Sequence, residues 1–118
     1  MSDDVIVRDN PEHHRFDLLV DGVQAGFSLY TEFAEDPENP AAQRIFHHTV
    51  VDESFGGRGL AGVLTREALT ASVAAGHRIV PVCPFVVRWL RDHHEVDESV
   101  DRVRPAHLEA VRRADAAE

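Results

Sequence analysis

Four glycines lie within seven positions in the stretch FGGRGLAG, residues 55–62. A run rich in β-branched residues precedes them, and apolar residues recur at helical spacing from Leu60 to Ala71. Glycine lowers the stability of a helix, so four of them at this junction indicate a tight turn or a backbone that something approaches closely. The sequence therefore predicts a strand, a glycine turn and a helix in succession.

The remaining sequence predicts four strands up to this turn, followed by a strand and two helices after the first helix. Alternating or β-branched residues indicate strands at 5–9, 14–20, 23–33 and 43–51. The first helix ends near Gly76, and the later elements are a buried strand at 78–83 and helices at 84–94 and 105–118. A strand–helix–strand connection joins parallel strands. We therefore expect an α/β fold with a mixed sheet, antiparallel N-terminal strands, one parallel crossover and helices packed on the sheet.

The length of 118 residues suits one domain, residues 1–118. The net charge is −9, from 12 arginines, no lysine and 21 acidic residues. Because phosphate neutralisation dominates nucleic-acid affinity, this charge argues against a nucleic-acid partner. A cationic partner would be favoured, although net charge also serves solubility alone.

The sequence contains no long apolar run and no apolar leader, so we expect neither a membrane span nor a secretory signal. Cys83 is the single cysteine, which excludes an internal disulfide. The spacings HExxH and CxxC are absent, so no metal site is expected. These features favour a cytoplasmic protein, as a monomer or a homodimer.

The glycine turn has the chemistry of an anion site. The first N–H groups of a helix have no internal partner, and the helix dipole places partial positive charge there. Glycines let a phosphate approach the backbone, and Arg58 adds a formal charge. A tight turn with close helix packing would explain the same glycines, and the stretch matches neither a Walker loop nor GxGxxG.

Residues 45–95 resemble the GCN5-related N-acetyltransferase superfamily, and the chain is similar to its small, minimal branch. The central motif of that superfamily reads Gln or Arg, two variable residues, Gly, one variable residue, then Gly or Ala. Residues 59–61, Gly-Leu-Ala, match its last three positions, whereas Gly56 replaces the Gln or Arg. The resemblance also includes the strand reading His48-Thr49-Val50 and the strand end at Cys83.

The resemblance implies that acetyl-CoA is the co-substrate and that the acceptor is an amine, either a small molecule or a protein. It implies that the fourth and fifth strands splay apart and that the thioester lies between them. The pantetheine arm would pair with the backbone of strand four in the manner of an added strand. The glycine turn would hold the pyrophosphate. The cofactor-binding residues would be Val50, Val51, Gly56, Gly57, Arg58, Gly59, Leu60, Ala61 and Gly62.

Two side chains are candidates for catalysis. His48 lies just before the glycine turn, and imidazole can take a proton from an amine near neutral pH. Cys83 is implied by the resemblance to accept the acetyl group or to polarise the reacting atoms. The alternatives to catalysis are that His48 is a partnered or exposed histidine on a strand and that Cys83 is a small buried apolar residue. Period-two geometry predicts His47 on the strand face opposite His48.

The sequence thus predicts an acetyl-CoA-dependent N-acetyltransferase. A non-catalytic module that binds CoA or a nucleotide remains an alternative, because Gly56 departs from the family motif. An acidic protein-interaction domain, in which the glycines serve packing alone, is the other alternative.

Overall fold

The computed structural model describes residues 4–37 and 39–117. Its five strands form one mixed sheet in chain order. They are β1 (Val5–Asn10), β2 (Arg15–Val20), β3 (Val23–Phe33), β4 (Gln43–Val51) and β5 (Arg78–Pro81). Strands β1 to β4 pair antiparallel, and β5 pairs parallel with β4. The predicted α/β class, with antiparallel N-terminal strands and one parallel crossover, is confirmed.

The helices lie close to their predicted positions. They are α1 (Leu60–Ala74), α2 (Pro84–Asp92) and α3 (Pro105–Ala117). The predicted end of α3, Glu118, lies outside the described residues. Short 3₁₀ turns occupy Pro11–His13, Glu53–Phe55 and Asp97–Ser99. Within the described residues, no helix is both long enough and apolar enough to cross a membrane.

The main core fills one face of the sheet, which we call the α1 face because α1 and α2 cover it. Phe16, Leu18 and Val20 of β2 point into it, as the alternation of β2 predicts. The other core residues include Tyr30, Phe46, Leu60, Leu64, Ala68, Leu69, Ile79, Val86 and Trp89. This packing fixes the orientation of α1, whose first turn follows the glycine turn directly.

A buried arginine joins β1, β3, β4 and α1 on the α1 face. Arg44 is 6% exposed, and its guanidinium donates to Ser72 Oγ at 3.0 Å and to Asp9 Oδ2 at 3.2 Å. The same guanidinium lies 4.4 Å from the centroid of the Tyr30 ring. The Tyr30 hydroxyl donates to Asp9 Oδ1 at 2.7 Å, and burial together with this hydrogen bond raises the pKa of Tyr30. The buried charge is therefore paired and hydrogen-bonded, as burial of an ion requires.

Helix α3 covers the opposite face, which we call the α3 face. Its His107 is fully buried and lies 4.8 Å from the ring centroid of Phe33. The backbone N–H of Arg104 donates to His107 Nδ1 at 3.0 Å, and His107 Nε2 lies 2.9 Å from Gln43 Oε1. Because Nδ1 must accept one bond and Nε2 must donate the other, this geometry requires a neutral imidazole.

The environment of His107 also opposes its protonation. Gln43 Nε2 donates to Asp36 and Asp101, which leaves Gln43 Oε1 to accept from the imidazole. Burial is the main reason that the pKa of His107 lies below its ordinary value of 6.5, and the Arg104 charge adds to the shift. The Asp36 and Asp101 charges oppose this lowering.

We predict that the protein loses stability as the pH falls below about 6.5, the ordinary pKa of histidine. Below that pH the unfolded chain binds a proton at residue 107 that the folded chain resists, so acid favours unfolding. This single site changes the free energy of unfolding by at most about 1.4 kcal/mol per pH unit until the folded-state pKa is reached. Urea unfolding at a series of pH values measures the slope.

The control for this prediction is His107→Gln. This variant is expected to be less stable than wild type at neutral pH but to lose less stability on acidification. An equal pH slope in the two proteins would show that the fold does not resist protonation at residue 107.

Candidate functional site

Strands β4 and β5 pair only over the first part of β4. The parallel register runs from Gln43 opposite Arg78 to Phe46 opposite Pro81. The carbonyl oxygen of Phe46 then accepts the N–H groups of Val82 at 2.9 Å and Cys83 at 2.8 Å. The chain turns from there into α2, which is why β5 ends earlier than the sequence predicts. Strand β4 continues to residue 51, beside β3 alone.

A β-bulge lies at the same point on the other edge of β4. Leu29 pairs with His48 and Tyr30 pairs with Phe46, so His47 is the extra residue. The predicted separation of His47 and His48 onto opposite faces is wrong, because the bulge interrupts the period of two. Both rings lie on the α3 face. His47 Nε2 is 3.3 Å from Thr31 Oγ1, and the His48 ring centroid is 6.3 Å from that of Phe27.

The bulge also sets which side of the sheet each catalytic candidate occupies. Thr49 lies on the α1 face, where its hydroxyl is 3.1 Å from Ser28 Oγ and 3.6 Å from Cys83 Sγ. Cys83 is 4% exposed and forms the N-cap position of α2. His48 is exposed on the other face. The structure therefore does not bring the side chains of His48 and Cys83 together, and the sheet separates them.

An aspartate organises the turn that follows β4. Asp52 accepts the N–H of Ser54 at 2.9 Å and its hydroxyl at 2.7 Å, and these bonds lower the pKa of Asp52. Gly57 and Gly59 follow with φ angles of +76° and +69°, in the left-handed region that favours glycine. The glycines at these two positions therefore have a conformational reason that holds with or without a ligand.

The first turn of α1 presents backbone N–H groups without a side-chain cap. Its N-cap is Gly59, whose carbonyl oxygen accepts the N–H of Val63 at 3.3 Å. The N–H groups of residues 60–62 lie before that donor and have no acceptor within the helix. The first turn contains no acidic residue. Such a helix start carries partial positive charge that suits an anion.

A groove of about 530 Å³ lies against this helix start, and we call it the glycine groove. It is lined by Val51, Asp52, Glu53, Phe55, Gly56, Gly57, Gly59, Leu60, Ala61, Gly62 and Phe85. Most of the predicted cofactor-binding residues thus share one concave surface. Asp52, Glu53 and Phe55 were not assigned to the site from the sequence, and Phe85 lines the groove while it also packs against the core.

Two predicted cofactor-binding residues do not line the glycine groove. Val50 lines a pocket of about 290 Å³ with Gly26 and Phe27. The Arg58 guanidinium lies 5.7 Å from the centroid of the Phe55 ring, at the edge of the turn. Their predicted roles depend on the Val50 backbone and on the Arg58 charge, and both roles remain predictions.

Gly26 is a further residue of the site that the sequence reasoning did not single out. A Cβ at this position would collide with the carbonyl oxygen of Val50 and approach Val51 Cα to 3.0 Å. The close approach of β3 to β4 therefore excludes any side chain at Gly26. A glycine inside an alternating strand is the sequence signal for such an approach.

A family profile described as GCN5-related N-acetyltransferase matches residues 15–100. That range covers more than two thirds of the chain and includes both the bulge and the glycine groove. The chain belongs to the GCN5-related N-acetyltransferase family. No curated protein sequence matches it significantly.

Solved structures are similar to this family member over most of its chain. An aminoglycoside acetyltransferase from an uncultured soil metagenomic sample, in complex with sisomicin, matches with a TM-score of 0.50 and 11% identity. The match covers 88% of this chain and 55% of that one. An integron cassette protein from the mobile metagenome of V. cholerae matches with a TM-score of 0.48 and 13% identity, over 87% and 51% of the two chains. The chain thus spans about half the length of these structures.

Proteins of this family use acetyl-CoA, and the residues of the glycine groove fit that ligand. A Cβ built on Gly62 would meet no atom within 4 Å, so the glycine leaves space in the groove rather than filling a packed site. The uncapped N–H groups suit a pyrophosphate, and the apolar rings of Phe55 and Phe85 suit the uncharged parts of the ligand. Among the described residues, no group of three or more His, Cys, Asp or Glu is arranged to hold a metal.

We predict that Gly62→Leu weakens acetyl-CoA binding without unfolding this acetyltransferase family member. The leucine side chain enters the groove, whereas replacing a helical glycine removes a cost of about 1 kcal/mol. The dissociation constant for acetyl-CoA is expected to rise by about tenfold or more, that is, by at least about 1.4 kcal/mol. Isothermal titration and thermal unfolding measure the two effects.

The matched control is Ala71→Leu, which adds the same side chain to an exposed position of the same helix. Its affinity for acetyl-CoA is expected to equal that of wild type. Unchanged affinity in Gly62→Leu would mean that the ligand does not occupy the glycine groove.

Proposed function

We propose that this protein is an acetyl-CoA-dependent N-acetyltransferase that moves the acetyl group from the thioester to an amine. The observation that carries the proposal is that the glycine groove and the gap between β4 and β5 lie along the same part of β4. The glycine groove begins at Val51, and β4 has already left β5 at Phe46. A ligand whose phosphates lie on the glycine turn can therefore extend along the edge of β4 into the gap.

The backbone performs most of the proposed cofactor binding. The amides between Gly57 and Gly62 would hold the pyrophosphate, and Arg58 would add positive charge at the rim. The backbone of Val50 and Val51 would pair with the amide groups of the pantetheine arm, as an added strand does. Acetyl-CoA supplies the activated acetyl group when bound.

His48 is proposed as the base that makes the amine nucleophilic. An ammonium ion has no free electron pair, so one of its protons must pass to the imidazole before the nitrogen can attack. The exposure of His48 on the α3 face supports this role, because an incoming acceptor can reach it. The nitrogen then forms a bond to the thioester carbon and loses its second proton to water, while the C–S bond breaks and its electron pair goes to the CoA sulfur.

Cys83 is proposed to protonate the departing thiolate. The S–H group lies on the α1 face beside Thr49, close to the end of the parallel ladder. His48 is on the other face, which argues against His48 activating Cys83 as a nucleophile. The arrangement therefore favours direct attack by the amine over an acetyl-cysteine intermediate, in which Cys83 would need a base of its own.

We predict that His48→Gln lowers kcat about 100-fold or more, the usual contribution of a general base. Affinity for acetyl-CoA should not change, because His48 lies outside the glycine groove. Thiol release from acetyl-CoA in the presence of primary amines measures kcat. The absence of lysine in the chain removes side-chain self-acetylation as a competing signal.

The variants Cys83→Ala and Cys83→Ser decide the role of the cysteine. Direct transfer predicts a modest fall in kcat, about tenfold, and no acetylated enzyme in quenched-flow mass spectrometry. An acetyl group trapped on Cys83 would instead establish the covalent route. If wild type binds acetyl-CoA but acetylates no amine, the chain is a non-catalytic binding module.

A further inference from the structure

A second cavity lies on the α3 face, across the sheet from α1. Its volume is about 440 Å³, and we call it the His47 pocket. It is lined by His13, His14, Leu29, Tyr30, Thr31, Glu32, His47, Ala114 and Asp115. The pocket is bounded by the turn after β1, by the middle of β3, by the bulge in β4 and by the last turns of α3.

The polar groups around this pocket are hydrogen-bond acceptors suited to a cation. Tyr30 and Glu32 direct their side chains to the α1 face, where they contact Asp9 and His77. The other polar residues that line the pocket are His13, His14, Thr31, His47 and Asp115. Neutral imidazole and carboxylate both accept hydrogen bonds from an ammonium group.

The pocket adjoins the place where the proposed chemistry occurs. His47 is the bulge residue, it follows Phe46 where β5 departs, and it precedes His48 on the same face. The glycine groove opens on the other side of β4. His48 does not line the pocket, but its ring lies on the same face one residue further along β4, so a molecule in the His47 pocket would lie near His48 and outside the glycine groove.

We propose that the His47 pocket binds the acceptor and that the acceptor is a small-molecule primary amine. This inference rests on the proposed function and assigns its second substrate. A concave volume of about 440 Å³ falls in the range of small-molecule sites. Asp115 and the chain's net charge of −9 attract the ammonium ion, and Leu29 and Ala114 contact its carbon skeleton.

The test fills the pocket and measures the two substrates separately. Ala114→Trp places a large ring at the pocket wall, and the control Ala116→Trp places the same ring at an exposed position of the same helix that does not line the pocket. The probes are phenethylamine, putrescine and a short peptide with a free N-terminal amine. Ala114→Trp is expected to raise KM for the small amines by about tenfold or more and to leave acetyl-CoA affinity unchanged.

Asp115→Asn and His47→Gln test the ammonium contacts. Asp115→Asn keeps the size of the side chain and removes its charge, whereas His47→Gln replaces the imidazole with an uncharged amide. Each is expected to raise KM for putrescine about threefold to tenfold with a smaller change in kcat. Thermal unfolding checks that both variants fold.

Several results would overturn the inference and leave the enzyme intact. An unchanged KM in Ala114→Trp would mean that the acceptor binds elsewhere. Acetylation of the peptide but of neither small amine would mean that the small-molecule class is wrong. In both cases wild type still releases CoA, so the proposed function survives.

If wild type turns over no probe, the proposed function fails and the pocket is tested by binding alone. Two-dimensional amide NMR with phenethylamine or putrescine then reports on Thr31, His47 and Ala114 directly. Saturable shifts of these amides, lost in Ala114→Trp, would support the pocket as an amine site. No shifts would overturn it.

Discussion

The carbonyl oxygen of Phe46 accepts two backbone N–H groups, from Val82 and Cys83. Two donors on one acceptor end the parallel ladder, because the chain of β5 turns toward α2 instead of continuing beside β4. The bulge at His47 begins at the next residue, so β4 changes its relation to both neighbours at the same point. The glycine groove, Cys83 and the His47 pocket all lie around this interruption of the sheet.

Much of the architecture follows from local sequence signals. The bounds predicted for β3 and β4 match the structure, because the surrounding turns contain Gly, Pro and Asp that interrupt an extended chain. The start of α1 at Leu60 was also predictable, since the glycines that precede it cannot extend the helix stably. The anion site at the glycine turn was predictable as well, because the first N–H groups of a helix have no acceptor within it.

The features that sequence reasoning missed depend on partners far away in the chain. A bulge inserts one residue without any compositional mark, so nothing in FHHTVV showed that His47 and His48 share a face. The pairing of His107 with Gln43 connects residues that are 64 positions apart in the chain, and the neutral state of His107 follows only from that geometry. The His47 pocket likewise combines β3, β4 and α3, which no single stretch of sequence contains.

Gly26 and Gly62 differ in which substitutions they tolerate, and a library of random variants would show the difference. At Gly26 every side chain meets the backbone of β4, so selection for a folded protein alone would retain glycine. At Gly62 a Cβ meets no atom within 4 Å, so the same selection would accept other residues. If the glycine groove binds acetyl-CoA as proposed, selection for that binding would retain Gly62. The difference between the two selections would therefore report which positions serve the fold and which serve the ligand.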